Sequence, residues 1–413
     1  MNRRTMSGFS VAALSAALLM SLTAQAVAQE DTNTDLASAI TSGDANLDLR
    51  YRYEFVDQDA FAENANASTL RLRLNYETGS WRDWSGFIEF DQVMEVLVDD
   101  FNSGSGTSGP NRDQYPVVAD PEGSDLNQLY LQYAPNDDWK TRVGRQRILL
   151  DDQRYVGGVG WRQNEQTYDS LSVEYKGFEK TRLFYSYVAN VNRIFGSDVP
   201  AGDHDQDTHL LNAKVGLNEG WDVVGYAYLI DNDDAPAFST NTFGIRVNGA
   251  FALGEGRAAV LADIARQSDA GNAPVGFDTE YFRLQGTWTL NALDLGIGYE
   301  SLGSDNGQGF RTPLATLHAF NGWADQFLST PATGLEDLYL KAAYKLKPWS
   351  FQLVYHDFSA ETGGGDYGSE IDLSAGRGFG QRYKLLFKLA AFNADSTAFT
   401  DTTKAWLMLS AAF

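Results

Sequence analysis

The 413-residue chain contains no cysteine and only four histidines. The absence of cysteine excludes disulfide bonds, thiolate zinc sites and cysteine nucleophiles. The histidines do not show the spacing of metal ligands on one helix face, so we expect neither a metal nor another cofactor. The chain also lacks a Gly-x-Ser-x-Gly elbow and a P-loop, and the glycines of residues 157–160 do not have dinucleotide-loop spacing. These absences predict that the protein is not an enzyme.

Basic residues are scarce. The chain has 32 Lys and Arg against 55 Asp and Glu, which gives a net charge of -23 at pH 7. Such a charge repels a phosphate backbone, so nucleic acid is excluded as a partner. The hydrophobic content of 43% and the aromatic content of 13% are too high for a disordered chain. We therefore expect a folded protein that does not bind nucleic acid.

Long apolar runs are also missing, apart from one at the amino terminus. There Arg3 and Arg4 precede an apolar run over residues 9–22, and small residues at 26–28 offer a cleavage site. This pattern is typical of a secretory signal peptide. The alternative, a membrane anchor, is disfavoured because the run is shorter than the roughly 18 apolar residues that span a bilayer. We predict a signal peptide at residues 1–28 and a short periplasmic lead-in at residues 29–43.

The pattern that recurs in the rest of the chain has a period of two. Over residues 45–55 every odd position is apolar or aromatic and every even position is polar or charged, which predicts a strand with two different faces. Similar segments of about ten residues begin near residues 45, 67, 84, 126, 139, 168, 181, 208, 221, 241, 257, 279, 292, 336, 349, 368, 381 and 403. The sequence therefore predicts eighteen strands.

Connections between these segments alternate in length. Short links such as residues 135–138 and 253–256 take turns with longer polar ones, of which residues 98–124 and 303–335 are the longest. This alternation is typical of an outer-membrane barrel, whereas a soluble β-sandwich would not sort its loops in this way. We predict that residues 44–413 form an all-β, transmembrane antiparallel β-barrel of about 18 strands, with short periplasmic turns and long extracellular loops.

The same alternation assigns charged side chains to the lumen. Most of the expected basic residues fall on the first two and last two strands, which become neighbours when a barrel closes and so form one basic wall. The residues that we expect to line the pore and bind anions are Arg50, Arg52, Arg71, Arg73, Arg145, Lys384, Lys388 and Lys404. Many inward positions are acidic, however, so the alternative is that these charges pair across strands and maintain the shape of the barrel.

The loop over residues 303–335 is too apolar for a free surface loop. Leu317, Phe320, Trp323 and Phe327 lie within it, so we expect it to fold into the lumen. We predict a constriction loop that includes His318, Phe320, Trp323 and Asp325. Two interpretations stay open at this point: the loop is a constriction or gate, or it is a hydrophobic plug that only anchors itself.

Four blocks of sequence resemble the alginate-export porins of Gram-negative outer membranes. They are LRYRYE at 49–54 followed by ASTLRLR at 67–73; VGRQ at 143–146 continuing through Arg154 and WRQN at 161–164 to Tyr168 and Asp169; HAFNGWAD at 318–325 leading to GLEDLY at 334–339; and GSEIDL at 368–373. The resemblance implies a passive channel with an arginine-rich lumen that lets a polyuronate pass, and with loops and turns that gate its ends.

We accordingly expect a channel in the outer membrane for anionic sugars or polysaccharide such as alginate. The alternatives are a general porin for small nutrients and a structural or ligand-binding barrel with a plugged lumen. The expected surroundings are outer-membrane lipids and lipopolysaccharide, the anionic oligosaccharide, polysaccharide or small solute itself, and a periplasmic export machinery. We expect the barrel to be a monomer.

Overall fold

The computed structural model describes residues 35–104 and 112–413. The predicted signal peptide lies outside these residues. A short helix, α1 (Leu36–Thr41), precedes the first strand. No helix in the described part of the chain has the length and apolar character needed to cross a bilayer.

Strands make up nearly all of the remaining regular structure. They are β1 (Asp44–Gln58), β2 (Ala65–Glu77), β3 (Trp84–Asp100), β4 (Gly123–Asn136), β5 (Trp139–Gln146), β6 (Thr167–Tyr175), β7 (Thr181–Asn192), β8 (Asp203–Asn218), β9 (Trp221–Ile230), β10 (Thr240–Leu253), β11 (Gly256–Asp269), β12 (Asp278–Leu290), β13 (Leu293–Leu302), β14 (Ser304–Asp305), β15 (Gln308–Gly309), β16 (Leu335–Leu346), β17 (Trp349–Ser359), β18 (Asp366–Phe379), β19 (Tyr383–Ala394) and β20 (Thr402–Ala412). The two-residue strands β14 and β15 form a small separate hairpin.

The other eighteen strands form one closed antiparallel sheet. Each pairs with the next along the chain, and β1 also pairs with β20, in a register that runs from Asp48 opposite Ala412 to Gln58 opposite Thr402. Beyond this register the backbone groups of Leu47 and Phe413 exchange two further hydrogen bonds, of 3.0 and 2.9 Å. Every strand of the barrel therefore has two neighbours, as a sheet in lipid requires. The predicted eighteen-stranded barrel is confirmed.

Connections are sorted by length between the two ends of the barrel. At the end that holds both chain termini the links are short. The shortest have two residues, as at 137–138, and the longest, residues 78–83, has six. At the opposite end they include residues 101–122, 147–166 and 303–334. The first set are the periplasmic turns and the second the extracellular loops.

The outer face is apolar and the inner face polar. On β2, Leu72 and Leu74 are 37% and 46% exposed, whereas the alternating Arg71 and Arg73 are buried inside the barrel. Aromatic residues cluster beside the periplasmic turns, where Trp84 packs on Tyr133 with ring centroids 4.9 Å apart. Such aromatic girdles mark the boundary between lipid tails and water.

Two extracellular loops fold back into the lumen, and together we call them the septum: residues 147–166 and residues 303–334. They contact each other through a parallel bridge between Val156 and Leu314. Tyr155 packs among aromatic rings of the wall, and Phe327 packs on Phe358 with ring centroids 4.5 Å apart. The main hydrophobic core of this barrel thus lies inside the lumen, between the septum and the wall.

Candidate functional site

The basic wall of β1 holds the first loop of the septum in place. The Arg50 guanidinium donates to the side chain of Gln163 and to the backbone carbonyl of Gly160, each at 2.9 Å. Arg52 donates to the carbonyl of Trp161 at 2.6 Å, and its guanidinium carbon lies 4.3 Å from the centroid of the Trp161 ring. Loop carbonyls therefore accept hydrogen bonds from arginine N–H groups that would otherwise be available to solutes in the lumen.

The arginines of β2 are held in salt bridges with carboxylates. Arg71 pairs with Asp48 on β1, and Arg73 pairs with Asp91 on β3 and with Glu165 of the septum. Burial by itself would raise the pKa of Glu165, but Arg73 and Arg147 lower it to about 2. Glu165 is therefore ionised at neutral pH, and these contacts match the interpretation in which inward charges pair and maintain shape.

The lysines predicted on the last strands lie at three different depths. Lys404 on β20 donates to Asp325 at 2.8 Å. Lys388 on β19 donates to His318 at 2.7 Å and lies 3.7 and 4.1 Å from the ring centroids of Trp323 and Trp161. Lys384 lies on the same face of β19 as Lys388, but at the periplasmic end, where it is exposed. Two of the three thus contact the septum, and one faces the mouth of the barrel.

Arg145 does not lie on the inner face, where the sequence placed it. It is opposite Leu129 in the register and two residues after Val143, and both of these are 48% exposed on the outer side. Its guanidinium pairs with Asp169 across the strand at 2.8 and 3.0 Å. Arg145 therefore belongs to the outer surface near the extracellular rim, because directly opposed residues share a face of the sheet.

The predicted constriction loop lies across the lumen. His318 and Asp325 are buried and hydrogen-bonded at 2.7 Å. The backbone N–H of Trp323 donates to Asp372 on β18 at 3.2 Å, and the ring of Phe320 lies between Arg154 and Arg283, 4.8 and 5.3 Å from their guanidinium carbons. The loop is attached to several strands of the barrel at once.

His318 is neutral in this arrangement. The Lys388 ammonium can only donate, so Nε2 of His318 accepts and Nδ1–H donates to Asp325. Burial lowers the pKa of His318 to about 3. The imidazole is therefore a neutral bridge between an ammonium and a carboxylate.

Acidification should loosen the constriction loop. Above pH 6.5 His318 is neutral both in the closed loop, which is packed in the lumen, and in an open loop that has left it. Below pH 6.5 His318 becomes protonated in the open loop, whereas in the closed loop it stays neutral down to about pH 3. The closed state should lose up to about 1.4 kcal/mol per pH unit over this range. Hydrogen exchange of the Ala319 and Phe320 amides between pH 7 and 4.5, corrected for intrinsic rates, measures this loss. His318→Gln should remove it, and equal pH dependence in both proteins would contradict the assignment.

Some inward charges were missed by the sequence analysis. Arg154 of the septum pairs with Glu300 at 2.7 Å, and Asp152 lies 2.6 Å from Arg246 and 2.7 Å from Arg283 on the opposite wall. The alternation along β10 and β12 carries the signal for Arg246 and Arg283, because each stands between two apolar residues. Nothing in the local pattern indicates that Arg154 and Asp152 lie inside the barrel.

Among the cavities that the described residues form inside the barrel, two lie on opposite sides of the septum. The periplasmic one is about 950 Å³; its basic lining residues are Lys176, Lys180, Arg182, Lys214 and Arg257, and its one acidic lining residue is Asp222. The extracellular one is about 550 Å³; its basic lining residues are Arg154, Arg162, Arg193, Arg311 and Lys404, and its one acidic lining residue is Asp325. Both cavities therefore carry a basic excess in a chain whose net charge is -23.

Comparisons with known proteins agree with this architecture. A family model for alginate export matches residues 43–294. OccK9 (OpdG) from Pseudomonas aeruginosa superposes with a TM-score of 0.74 at 15% identity, covering 91% of this chain and 99% of that one. OccAB4 from Acinetobacter baumannii gives 0.71 at 13% identity, covering 90% and 98%. OpdK from Pseudomonas aeruginosa, crystallised with vanillate, gives 0.69 at 14% identity, covering 90% and 98%.

These structural likenesses concern the fold, since the identities are low. No curated protein sequence matches the chain. The family model, by contrast, covers more than half of the residues, and its match includes the basic wall of β1 and β2 and the first loop of the septum. The chain therefore belongs to the alginate-export family and forms an outer-membrane channel.

Proposed function

We propose that the protein is a passive channel for anions, and that its solutes are anionic sugars or polysaccharide such as alginate. The observation that carries the proposal is the basic excess in both cavities: in each, three of the five cationic side chains pair with carboxylates, and among the described residues the other two do not. Clustered charge in a cleft with low-dielectric walls raises the local concentration of the opposite ion. An anion that crosses the septum from one basic cavity thus enters a second cavity that is also basic.

The fixed charge acts only at short range. At physiological salt the field of a charge is screened beyond about 8 Å, so selectivity requires a narrow passage. The septum narrows the lumen, because its two loops contact each other and also contact separate strands of the barrel. Arg154 pairs with Glu300 on β13, and Asp325 accepts a hydrogen bond from Lys404 on β20. The paired arginines of β1 and β2 contribute indirectly by holding the septum against one side of the barrel.

A second candidate solute is a small carboxylate taken up by a porin. The septum occupies the region between the two cavities, which favours small solutes over an extended polymer unless the loops move. The structural neighbour OpdK was crystallised with vanillate, a small carboxylate. Graded oligouronates added to an open channel separate the two candidates, since a polymer channel should pass long chains and a small-solute porin only short ones.

Anion selectivity is tested by the reversal potential of the purified barrel in a planar bilayer under a KCl gradient. We expect chloride to be preferred over potassium. The double variant Lys180→Gln/Arg257→Gln removes two cations of the periplasmic cavity and should shift the reversal potential toward potassium at low salt. The matched control is Arg266→Gln, because Arg266 is 70% exposed outside the lumen and already paired with Asp278.

Two outcomes would count against the proposal. An unchanged reversal potential in the double variant would mean that the periplasmic cavity does not influence permeating ions. A bilayer without conductance at any salt concentration would favour the alternative of a plugged structural or ligand-binding barrel.

A further inference from the structure

The extracellular cavity contains two arginines that anion conduction alone does not explain. Among the described residues, no carboxylate lies within salt-bridge distance of Arg193 or Arg311. The other cations of the same cavity all have carboxylate partners: Arg154 pairs with Glu300 at 2.7 Å, Arg162 with Glu54 at 3.0 Å, and Lys404 with Asp325 at 2.8 Å. The cavity therefore has two cations whose charge is not balanced by the protein.

The two arginines converge on one short element. This element is the 3-10 turn Pro236–Phe238 between β9 and β10. The Arg193 guanidinium carbon lies 5.5 Å from the centroid of the Phe238 ring, and Arg311 donates to the carbonyl of Ala237. Because adjacent residues of one turn hold both guanidinium groups, the groups can act on the same ligand.

Aromatic rings surround these guanidinium groups. Arg193 also lies 5.9 Å from the Phe195 ring, and Arg311 lies 5.1 Å from the Phe277 ring. Contact between a guanidinium and a ring face orients the cation and leaves its N–H edge free for an acceptor. The remaining donors of Arg311 include one that bonds the side chain of Gln308, so its position is fixed before a ligand arrives.

Partial burial makes both charges costly, and more so for Arg193 than for Arg311. Desolvation lowers the pKa of Arg193 and of Arg311, and no carboxylate offsets this effect. A desolvated cation gains more from an incoming anion than a hydrated one, because part of its desolvation is already present in the empty site. The site is thus arranged to favour a carboxylate over water.

The rest of the cavity wall combines polar side chains with a group of large apolar ones. Phe195, Phe238, Leu302, Leu317 and Phe327 line it, and its volume of about 550 Å³ lies within the usual range of small-molecule sites. A ligand with one apolar ring and one carboxylate matches both parts of the cavity.

We propose that the extracellular cavity is a binding site for a small aromatic monocarboxylate, whose carboxylate contacts Arg193 and Arg311 and whose ring packs among the phenylalanines. The inference rests on the proposed conduction of anions, because the site lies on the extracellular side of the septum. The cavity thus binds one class of anion selectively before that anion crosses the barrel.

The test is calorimetric titration of the full-length barrel in lipid nanodiscs with benzoate, acetate and benzamide. Benzoate should bind at least about tenfold more tightly than acetate, which lacks the ring, and than benzamide, which lacks the charge. Arg193→Gln should weaken benzoate binding by about tenfold, and Arg193→Gln/Arg311→Gln further. The single variant leaves no buried carboxylate without its partner, so it should fold normally. Arg266→Gln is the control and should bind benzoate like the parent.

Equal affinity for benzoate and acetate, or an Arg193→Gln variant with unchanged benzoate affinity, would overturn the inference. The reversal potential of the same preparations distinguishes this failure from failure of the proposed function. A chloride-selective barrel that does not prefer benzoate retains the channel function and loses only the binding site. A barrel without anion selectivity loses the channel proposal whatever the titration shows.

Discussion

Replacing residues 317–327 by a short Gly-Ser linker should raise the single-channel conductance several-fold. This segment carries His318, Trp323 and Phe327, through which the second loop of the septum contacts β18, β19 and the core. It also contains Asn321, to which Arg154 of the first loop donates at 3.0 Å. An eighteen-stranded barrel without internal loops encloses an aqueous channel, so removing these contacts should widen the path.

The matched control is a deletion of Gly363 and Gly364 in the loop between β17 and β18. Both glycines face open space, since a side chain added at either would meet no atom within 4 Å. Conductance should be unchanged in this control. Recordings at high salt, where fixed charge is screened, isolate the width of the path from its selectivity. An unaltered conductance after removal of residues 317–327 would show that this loop does not limit the passage.

The second large effect concerns the lipid-facing surface. Leu284 is 51% exposed near the middle of β12, between the inward Arg283 and Gln285. Leu284→Arg would place a charge in the hydrocarbon and should lower the free energy of unfolding by about 2 to 4 kcal/mol. Urea unfolding in lipid vesicles, followed by tryptophan fluorescence, measures this loss.

Thr287→Arg provides the comparison on the other face of the same strand. Thr287 lines the periplasmic cavity, where a guanidinium stays hydrated, so the expected loss is much smaller. Similar losses for the two variants would contradict the assignment of the inner and outer faces of β12.

The barrel was predictable because its determinants are local. Alternation along residues 45–55 and the short link at residues 253–256 each appear within a few positions of sequence, and the structure has β1 and the turn between β10 and β11 at those places. The folding of residues 303–334 into the lumen could also be predicted from the sequence, since residues such as Phe327 would form an apolar patch if they were exposed. The predicted alternation and loop lengths are therefore enough to derive the topology.

The first loop of the septum was not predictable in the same way. Residues 147–166 mix apolar side chains with Asp152 and Arg154, a composition that is equally typical of a surface loop. What brings these charges inside is a set of distant partners: Glu300 for Arg154, and Arg246 for Asp152. Such pairs are set by the closed barrel, so no local pattern shows them. Arg145 was misplaced for a different reason: it stands two residues after Val143 on β5, so the alternation puts both side chains on the outer face.

The pairing of β1 with β20 has a consequence for biogenesis. The two strands that complete the cylinder are the first and last along the chain, so the seam cannot form before translation of β20 is finished. Until then, β1 presents a row of unpaired amides that would template aggregation. Closure therefore requires both ends of the barrel sequence, and loss of β20 alone would leave two open edges, on β1 and β19, that lipid does not tolerate.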